Sequence, residues 1–265
     1  MGEVIGIVSL KGGVGKTSTV VSLGAAIATF GKKVLLIDGN LSAPNLGLHL
    51  NIVDPEVTLH EVLARKAKVK DSIQKMGEFD LIPASLIFRE KVNPLKLKDR
   101  IKSLKNKYDY VIIDSSPSLN DETLGVMLAS DGILVVTTPD HPTLSTTIKA
   151  VNHSKKRGTK INGLILNRVH NKKFELSLKD VEKTSGVPVM AVVPHDTDVL
   201  EALSKFKPFT KYKPKSAGAE EYLRLAAALI GEKYKPVKIK RLMKWINPKK
   251  QDINRTVFYR EVFEN

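Results

Sequence analysis

Short apolar runs rich in β-branched residues alternate along the chain with longer stretches whose apolar residues recur at helical spacing. The runs predict strands, because near-continuous apolar segments are typical of strands buried on both faces of a parallel sheet. The predicted strands cover residues 4–8, 34–37, 79–82, 110–113, 133–136, 161–166 and 189–193. The predicted helices cover residues 17–30, 59–66, 94–107, 121–130, 143–156, 178–184 and 217–231. This alternation predicts the α/β fold class, with a doubly wound, mostly parallel sheet between two layers of helices.

The alternation ends near residue 232, and a segment of different composition follows it. Residues 233–265 contain Pro236, Pro248 and the only tryptophan, Trp245. Residues 231–250 hold eight lysines and arginines against one acid. We therefore expect two parts, a domain over residues 1–232 and a basic amphipathic C-terminal tail over residues 233–265.

The stretch between the two prolines of the tail has the pattern of a basic amphipathic helix. At 100° per residue Ile239, Leu242, Met243 and Ile246 form one stripe. Lys240, Arg241 and Lys244 lie opposite it, and Lys238 and Trp245 lie at one edge. Such a helix is typical of a membrane-surface anchor. An ordinary helix packed on the domain or on a partner, and a nucleic-acid-binding tail, are the alternatives. The residues expected to enter an anionic membrane surface are Ile239, Leu242, Met243, Trp245 and Ile246.

Composition narrows the chemistry of the 265-residue chain. It has no cysteine, which excludes disulfides, iron–sulfur clusters and thiolate zinc sites. The first ten residues lack the charged region of a signal peptide, and no apolar run approaches the roughly 18 residues of a membrane span. The formal net charge of +15 indicates attraction to nucleic acid, anionic lipid or nucleotide, or else a solvated lysine-rich surface.

A glycine-rich loop over residues 9–18 separates the first predicted strand from the first predicted helix. Glycines let backbone N–H groups converge on phosphate oxygens, and the following helix adds its positive N-terminal end. Lys16 should reach the β- and γ-phosphates, Thr17 should ligate Mg²⁺, and Ser18 should contact the α-phosphate. The predicted nucleotide-binding residues of the loop are Gly12, Gly13, Val14, Gly15, Lys16, Thr17 and Ser18.

The loop departs from the standard P-loop pattern, because Leu10 stands at the first glycine position and an additional lysine, Lys11, precedes the glycines. This arrangement, K-G-G-x-G-K-[ST], resembles the deviant-Walker ATPases of the MinD/ParA family, and the resemblance extends over roughly residues 1–231. It implies a three-layer α/β/α P-loop NTPase with ATP and Mg²⁺ as cofactors. It also implies an ATP-dependent homodimer in which Lys11 touches the partner's bound phosphates. A solvent-exposed loop lysine is the alternative for Lys11.

Two predicted strands end in aspartates. Asp38 opens a segment through Asn45 that resembles the family's switch I, and its carboxylate can hold the hydration shell of Mg²⁺. Asp114 resembles the Walker B aspartate, with a helix cap as the alternative. Asn40 replaces a second switch I aspartate that helps to orient the attacking water in the family, so we expect slow or absent hydrolysis. The expected catalytic residues are Lys11, Lys16, Asp38, Asn40 and Asn45, and the expected metal-site residues are Thr17, Asp38 and Asp114.

Two later strand ends complete the expected nucleotide site. Asn167 and Arg168 follow the strand 161–166, and Pro194 and Asp196 follow the strand 189–193. The resemblance implies that these two loops flank the adenine and that the Asn167 side chain hydrogen-bonds the base.

The resemblance, together with the basic tail, implies a MinD-like ATPase whose ATP-bound dimer associates with the membrane and positions division or other cellular machinery. We expect a cytoplasmic protein, peripheral on the inner face of the cell membrane, with an unknown protein partner. One alternative is a ParA-like ATPase that binds DNA for partitioning, favoured by basic clusters over residues 91–107 and 149–173. The other is a barely hydrolysing scaffold gated by nucleotide, favoured by Asn40.

Overall fold

The computed structural model of the chain describes residues 1–234 and 249–264. At its centre lies a sheet in the order β3-β4-β2-β5-β1-β6-β7-β8. Neighbouring strands are parallel except β3 and β4, which are antiparallel. All seven predicted strands are present, and the two-residue β3 is too short to give a sequence pattern. The strands are β1 (Glu3–Val8), β2 (Val34–Asp38), β3 (Gln74–Lys75), β4 (Asp80–Ile82), β5 (Tyr110–Asp114), β6 (Gly132–Thr137), β7 (Ile161–Val169) and β8 (Val189–Pro194).

Helices connect the strands and cover both faces of the sheet. The α-helices of the described residues are α1 (Lys16–Ala28), α2 (Leu46–His49), α3 (Leu59–Leu63), α4 (Leu97–Ile101), α5 (Asp121–Ala129), α6 (His141–Lys156), α7 (Leu178–Ser185), α8 (Asp198–Ser204), α9 (Phe209–Tyr212), α10 (Ala217–Leu229) and α11 (Lys250–Phe263). The predicted helix over residues 94–107 is instead divided, because 3₁₀ turns at Pro94–Lys96 and Lys102–Asn106 flank α4. Helices α2, α8 and α9 are too short for a periodic pattern to predict.

The strands are buried on both faces, as their apolar sequences predict. In β1, Ile5 and Ile7 belong to the core beneath α1 and α10, whereas Val4 and Val8 belong to the core beneath α5 and α6. Because these strands are parallel, their carboxyl ends lie at one edge of the sheet. The loops that follow β1, β2, β5, β7 and β8 meet at this edge, where ligands bind in open α/β sheets.

The C-terminal helix α11 covers the outer edge of β8, which pairs only with β7 among the described residues. Asn254 Nδ2 donates to the carbonyl oxygen of Val189 at 2.8 Å, and Arg255 Nη1 donates to that of Met190 at 2.8 Å. Arg255 also forms a buried ion pair with Glu221 of α10, at 2.9 Å. Side chains of α11 thus occupy backbone acceptors that an open sheet edge would expose.

The sequence predicts a tail that begins at residue 233. The last part of that tail, helix α11, packs on the domain. The amphipathic stretch of the tail lies at residues 237–247, outside the described residues, and the helix expected there remains a prediction. Within residues 1–234 and 249–264, no helix is long and apolar enough to cross a membrane.

Candidate functional site

The glycine-rich loop joins β1 to α1 at the carboxyl edge of the sheet, as the sequence predicts. Gly13 and Gly15 have φ angles of 77° and 93°, which side chains with a Cβ rarely adopt. Gly12 and Gly13 are exposed, so the rim of the loop is open, whereas Val14 is buried. Alternating backbone directions of this kind form a concave nest of N–H groups that suits an anion.

Lys16 begins α1 inside this nest and is buried, with only 8% of its surface exposed. Burial lowers the pKa of its amine, and the nearby charge of Asp114 opposes that change. A buried ammonium with one carboxylate neighbour is poorly compensated, and polyphosphate oxygens would supply the missing negative charge.

Thr17 and Asp114 form the inner wall of the expected metal site. The Thr17 hydroxyl donates to Asp114 Oδ2 at 2.6 Å. Asp114 Oδ1 is buried and has no hydrogen-bond partner in the described part of the chain. Burial raises the pKa of Asp114 to about 6, although Thr17 and Lys16 oppose the rise. An unused buried oxygen beside a threonine hydroxyl fits a hydrated Mg²⁺, which prefers oxygen ligands.

Asp38 lies next to Asp114 and organises the predicted switch I. Its carboxylate accepts the backbone N–H groups of Asn40 at 3.1 Å, Asn45 at 3.0 Å and Leu46 at 2.9 Å. Burial, followed by the charge of Asp114, raises the pKa of Asp38 to about 7. The carboxylate therefore holds the loop in shape, and any contact with the hydration shell of Mg²⁺ would be added to these bonds.

Asn40 is buried within the loop that Asp38 holds. Its Nδ2 donates to the carbonyl oxygen of Ala43, and its Oδ1 has no partner among the described residues. The Asn45 side chain also donates to Ala43, at 2.8 Å. Asn40 thus brings one unused acceptor to the site but no negative charge.

A buried carboxylate from α5, which no sequence pattern indicates, also holds switch I. Glu122 Oε1 accepts the backbone N–H of Ser42 at 2.9 Å and also the Ser42 hydroxyl. Glu122 is 8% exposed, and its Oε2 has no partner among residues 1–234 and 249–264. In the sequence it resembles an ordinary acid in the first turn of a helix, so only its burial distinguishes it.

Lys11 lies at the rim of the loop and contacts the N-terminus of α6. Its Nζ donates to Asp140 Oδ1 at 3.2 Å and to Thr143 Oγ1 at 2.5 Å. Asp140 also caps α6 by accepting the Thr143 N–H at 2.9 Å. Although burial would raise the pKa of Asp140, the hydrogen bonds from Thr138, Thr143 and Lys11 lower it to about 2. Nothing in the sequence of residues 139–142 predicts this contact with Lys11.

The loops after β7 and β8 lie side by side at the same edge. The buried Asn167 donates through Nδ2 to the carbonyl oxygen of Val14, at 2.7 Å, whereas Arg168 is exposed. Pro194 ends β8, and Asp196 accepts the backbone N–H of Asp198 at 2.9 Å. Of these four predicted residues, Asn167 is the one that the structure connects to the phosphate loop. The stacked rings of His170 and His195, 4.4 Å apart, add a contact between the two loops.

Two family descriptions match the chain. The description "AAA domain" matches residues 2–162, and "4Fe-4S iron sulfur cluster binding proteins, NifH/frxC family" matches residues 94–247. The chain has no cysteine thiolate to hold such a cluster, so the second match concerns the polypeptide and not the cluster.

Solved structures and proteins of other organisms are similar to the chain over most of its length. The cell division ATPase MinD of Pyrococcus furiosus is 38% identical, with a TM-score of 0.81 over 85% of this chain and 97% of that one. The septum site-determining protein MinD of Pyrococcus horikoshii, complexed with Mg-ADP, is 36% identical, with a TM-score of 0.82 over 86% and 96% of the two chains. An uncharacterized ATP-binding protein of Methanocaldococcus jannaschii is 38% identical over 237 residues, 88% of this chain and 90% of that protein.

Proteins of chromosome partitioning are also similar. The chromosome partitioning protein ParA of Caulobacter vibrioides is 34% identical over 253 residues, which cover 86% of this chain and 94% of that protein.

Proposed function

The chain belongs to the MinD/ParA family of P-loop ATPases, and from this premise we propose that it is a MinD-like switch that dimerises on binding ATP. In this proposal the dimer associates with an anionic membrane surface and positions division or other cellular machinery. Lys16, Thr17 and Asp114 would hold the phosphates and Mg²⁺, and the Asn40 amide would leave hydrolysis slow. The protein would be cytoplasmic and peripheral on the inner face of the cell membrane.

The observation that carries this proposal is the position of the two lysines of the loop. Lys16 is buried inside the phosphate nest, whereas the Lys11 amine lies at the rim, with 39% of its side chain exposed, on the N-terminus of α6. A flexible, partly exposed ammonium beside the phosphate site can reach a phosphate of a second copy. ATP bound between two copies would then connect nucleotide state to assembly.

The membrane part of the proposal rests on the sequence of the amphipathic stretch 237–247. The four side chains of the apolar stripe, Ile239, Leu242, Met243 and Ile246, would each contribute about 1.5–3 kcal/mol if fully buried. Each basic residue adds about 1 kcal/mol near anionic lipid. Ordering the chain costs about 1–2 kcal/mol per residue, so one copy is expected to bind marginally. A dimer presents two copies, and the second binds at high effective concentration.

The test is co-sedimentation of the full chain with phosphatidylglycerol-containing vesicles in the presence of ATP, ADP or no nucleotide. We expect binding with ATP and Mg²⁺ only, and its loss in Ile246→Glu. A chain ending at Tyr234 is a poor test alone, because it also removes α11 and its contacts with β8. Ile87→Glu is the matched control, because it makes the same substitution at an isoleucine of the domain that is already 78% exposed. Equal binding with ATP and ADP would contradict the proposal.

A second candidate function is ATP-dependent DNA binding of the ParA type, for which a basic surface is the specific observation. Lys149, Lys155, Lys156 and Arg157 are exposed on or just after α6, and no carboxylate of residues 1–234 or 249–264 forms an ion pair with them. DNA pulldown at graded salt distinguishes this function, since phosphate binding weakens steeply with salt. Retention on DNA without binding to vesicles would favour it.

A further inference from the structure

A single buried side chain connects the base side of the nucleotide site to its phosphate loop. Asn167 is 8% exposed, and its Nδ2 donates to the Val14 carbonyl oxygen at 2.7 Å. This partner fixes the orientation of the amide, because with Oδ1 in the same place two acceptors would face each other. The donor end of the Asn167 amide is therefore committed to the phosphate loop.

The bond acts on the peptide unit between Val14 and Gly15. A trans peptide is planar, so the Val14 carbonyl and the Gly15 N–H point in opposite directions. A carbonyl held toward Asn167 directs the Gly15 N–H to the opposite side of the peptide, away from Asn167. Glycine at position 15 has wide conformational freedom, so this peptide could otherwise rotate. A rotated peptide would present the carbonyl oxygen to the phosphates, which it would repel.

The end of β7 is irregular at Asn167. The register between β7 and β8 shifts between Leu166 and Val169, and Arg168 has a φ of 56°. Residues other than glycine rarely occupy this region. The His195 N–H then donates to the Val169 carbonyl oxygen at 2.9 Å and holds the far side of the irregularity. Such irregularities re-aim side chains, and here Asn167 is buried while Arg168 is exposed.

The glycine and the asparagine also fit each other sterically. A Cβ added to Gly15 would lie 2.4 Å from Asn167 Nδ2, well inside contact distance. Gly15 therefore serves two purposes, since it permits the φ of 93° and leaves room for the amide that holds the preceding carbonyl.

We infer that Asn167 is a positioning residue of the phosphate nest: through the Val14 carbonyl it keeps the Gly15 N–H turned toward the phosphates, whatever base the nucleotide carries. The inference rests on the ATP-binding function of the family and goes beyond the contact with adenine that the sequence predicts. A residue that only reads the base would act on ATP but not on a ligand without a base.

The test compares two ligands by isothermal titration calorimetry, ATP and inorganic tripolyphosphate, each with Mg²⁺. Asn167→Ala should weaken both by about tenfold or more, which corresponds to about 1.4 kcal/mol. Asn167→Asp, which keeps the volume but loses the donor, should weaken tripolyphosphate at least as strongly. Asn162→Ala, at the buried other end of β7, is the matched control and should leave both affinities unchanged. Normal tripolyphosphate binding by Asn167→Ala would overturn the inference.

NMR spectroscopy of the Gly15 amide provides a second test that does not depend on Asn167→Ala being well folded. In chain labelled with ¹⁵N-glycine, the Gly15 amide resonance should move on adding tripolyphosphate to the wild type and should respond less in Asn167→Asp. An identical Gly15 response in both proteins would overturn the role. If the wild type binds neither ATP nor tripolyphosphate, the ATP-binding function is overturned and this inference with it.

Discussion

Asp38 and Asp114 occupy paired positions at the carboxyl ends of the neighbouring parallel strands β2 and β5. Both are almost completely buried, with 0% and 1% of their surfaces exposed. Two carboxylates so placed disfavour each other's ionisation, and burial raises the pKa of Asp38 to about 7 and that of Asp114 to about 6. The nucleotide site therefore contains two carboxyl groups that change protonation state between about pH 6 and pH 7.

The stability that Asp38 and Asp114 contribute to the nucleotide-free, Mg²⁺-free protein should fall as pH rises from about 4 to about 7. The lowered pKa values of His49 and His60 act in the opposite direction near neutral pH. Aspartates of the unfolded chain titrate near pKa 3.9, so over this window the folded state binds more protons than the unfolded state. The stability that these two raised pKa values contribute is fully present below the unfolded pKa and is lost as pH rises through the folded ones. Urea unfolding at several pH values measures the free energy of unfolding, and the wild type should lose more of it over this window than Asp38→Asn does. The same loss in both proteins would contradict the shifted pKa of Asp38.

Breaking the contact between Lys11 and Asp140 should favour the ATP-bound dimer. Lys11 must leave Asp140 to reach a partner, and their side chains are 39% and 42% exposed, so the pair is worth at most about 1 kcal/mol. Asp140→Asn keeps an effective helix cap and should tighten the dimer by up to about thirtyfold, because each of the two copies breaks one such pair. Light scattering over a concentration series with ATP measures the change. Asp131→Asn, which removes the exposed Lys105 ion pair, is the matched control. Weaker dimerisation of Asp140→Asn would mean that Asp140 supports the dimer.

Asn40→Asp should raise the rate of ATP hydrolysis. The substitution adds a negative charge near the expected position of the attacking water, and a tenfold gain needs only about 1.4 kcal/mol of barrier. It also removes the hydrogen bond from Asn40 Nδ2 to Ala43, so the melting temperature should fall slightly. Multiple-turnover phosphate release at saturating ATP measures the rate. A rate unchanged or reduced would mean that position 40 does not act in hydrolysis.

The phosphate loop and the strand ends could be predicted because their chemistry is local in the sequence. Glycines at positions 13 and 15 permit the positive φ angles, and Asp38 and Asp114 each end a strand whose apolar pattern is plain. Parallel strands bring such ends to one edge of the sheet, so order along the chain was enough to place them together.

Contacts between distant polar residues could not be predicted in this way. Lys11 and Asp140 are 129 residues apart, and nothing in the loop 139–142 indicates that it receives a lysine. Helix α11 buries Asn254 and Arg255 while leaving Val257 about half exposed. Apolar periodicity alone therefore does not predict which side chains are buried, because hydrogen bonds from Asn254 and Arg255 and an ion pair to Glu221 add to the packing of Phe258 on the core.

If ATP assembles two copies of the chain through Lys11, sedimentation velocity should detect the change of mass. With ATP and Mg²⁺ the full chain should sediment as a dimer, and with ADP as a monomer. Lys11→Ala should bind ATP, as followed by calorimetry, yet remain a monomer, whereas Lys16→Ala should lose ATP binding and dimer together. A Lys11→Ala chain that binds ATP and dimerises like the wild type would contradict the account.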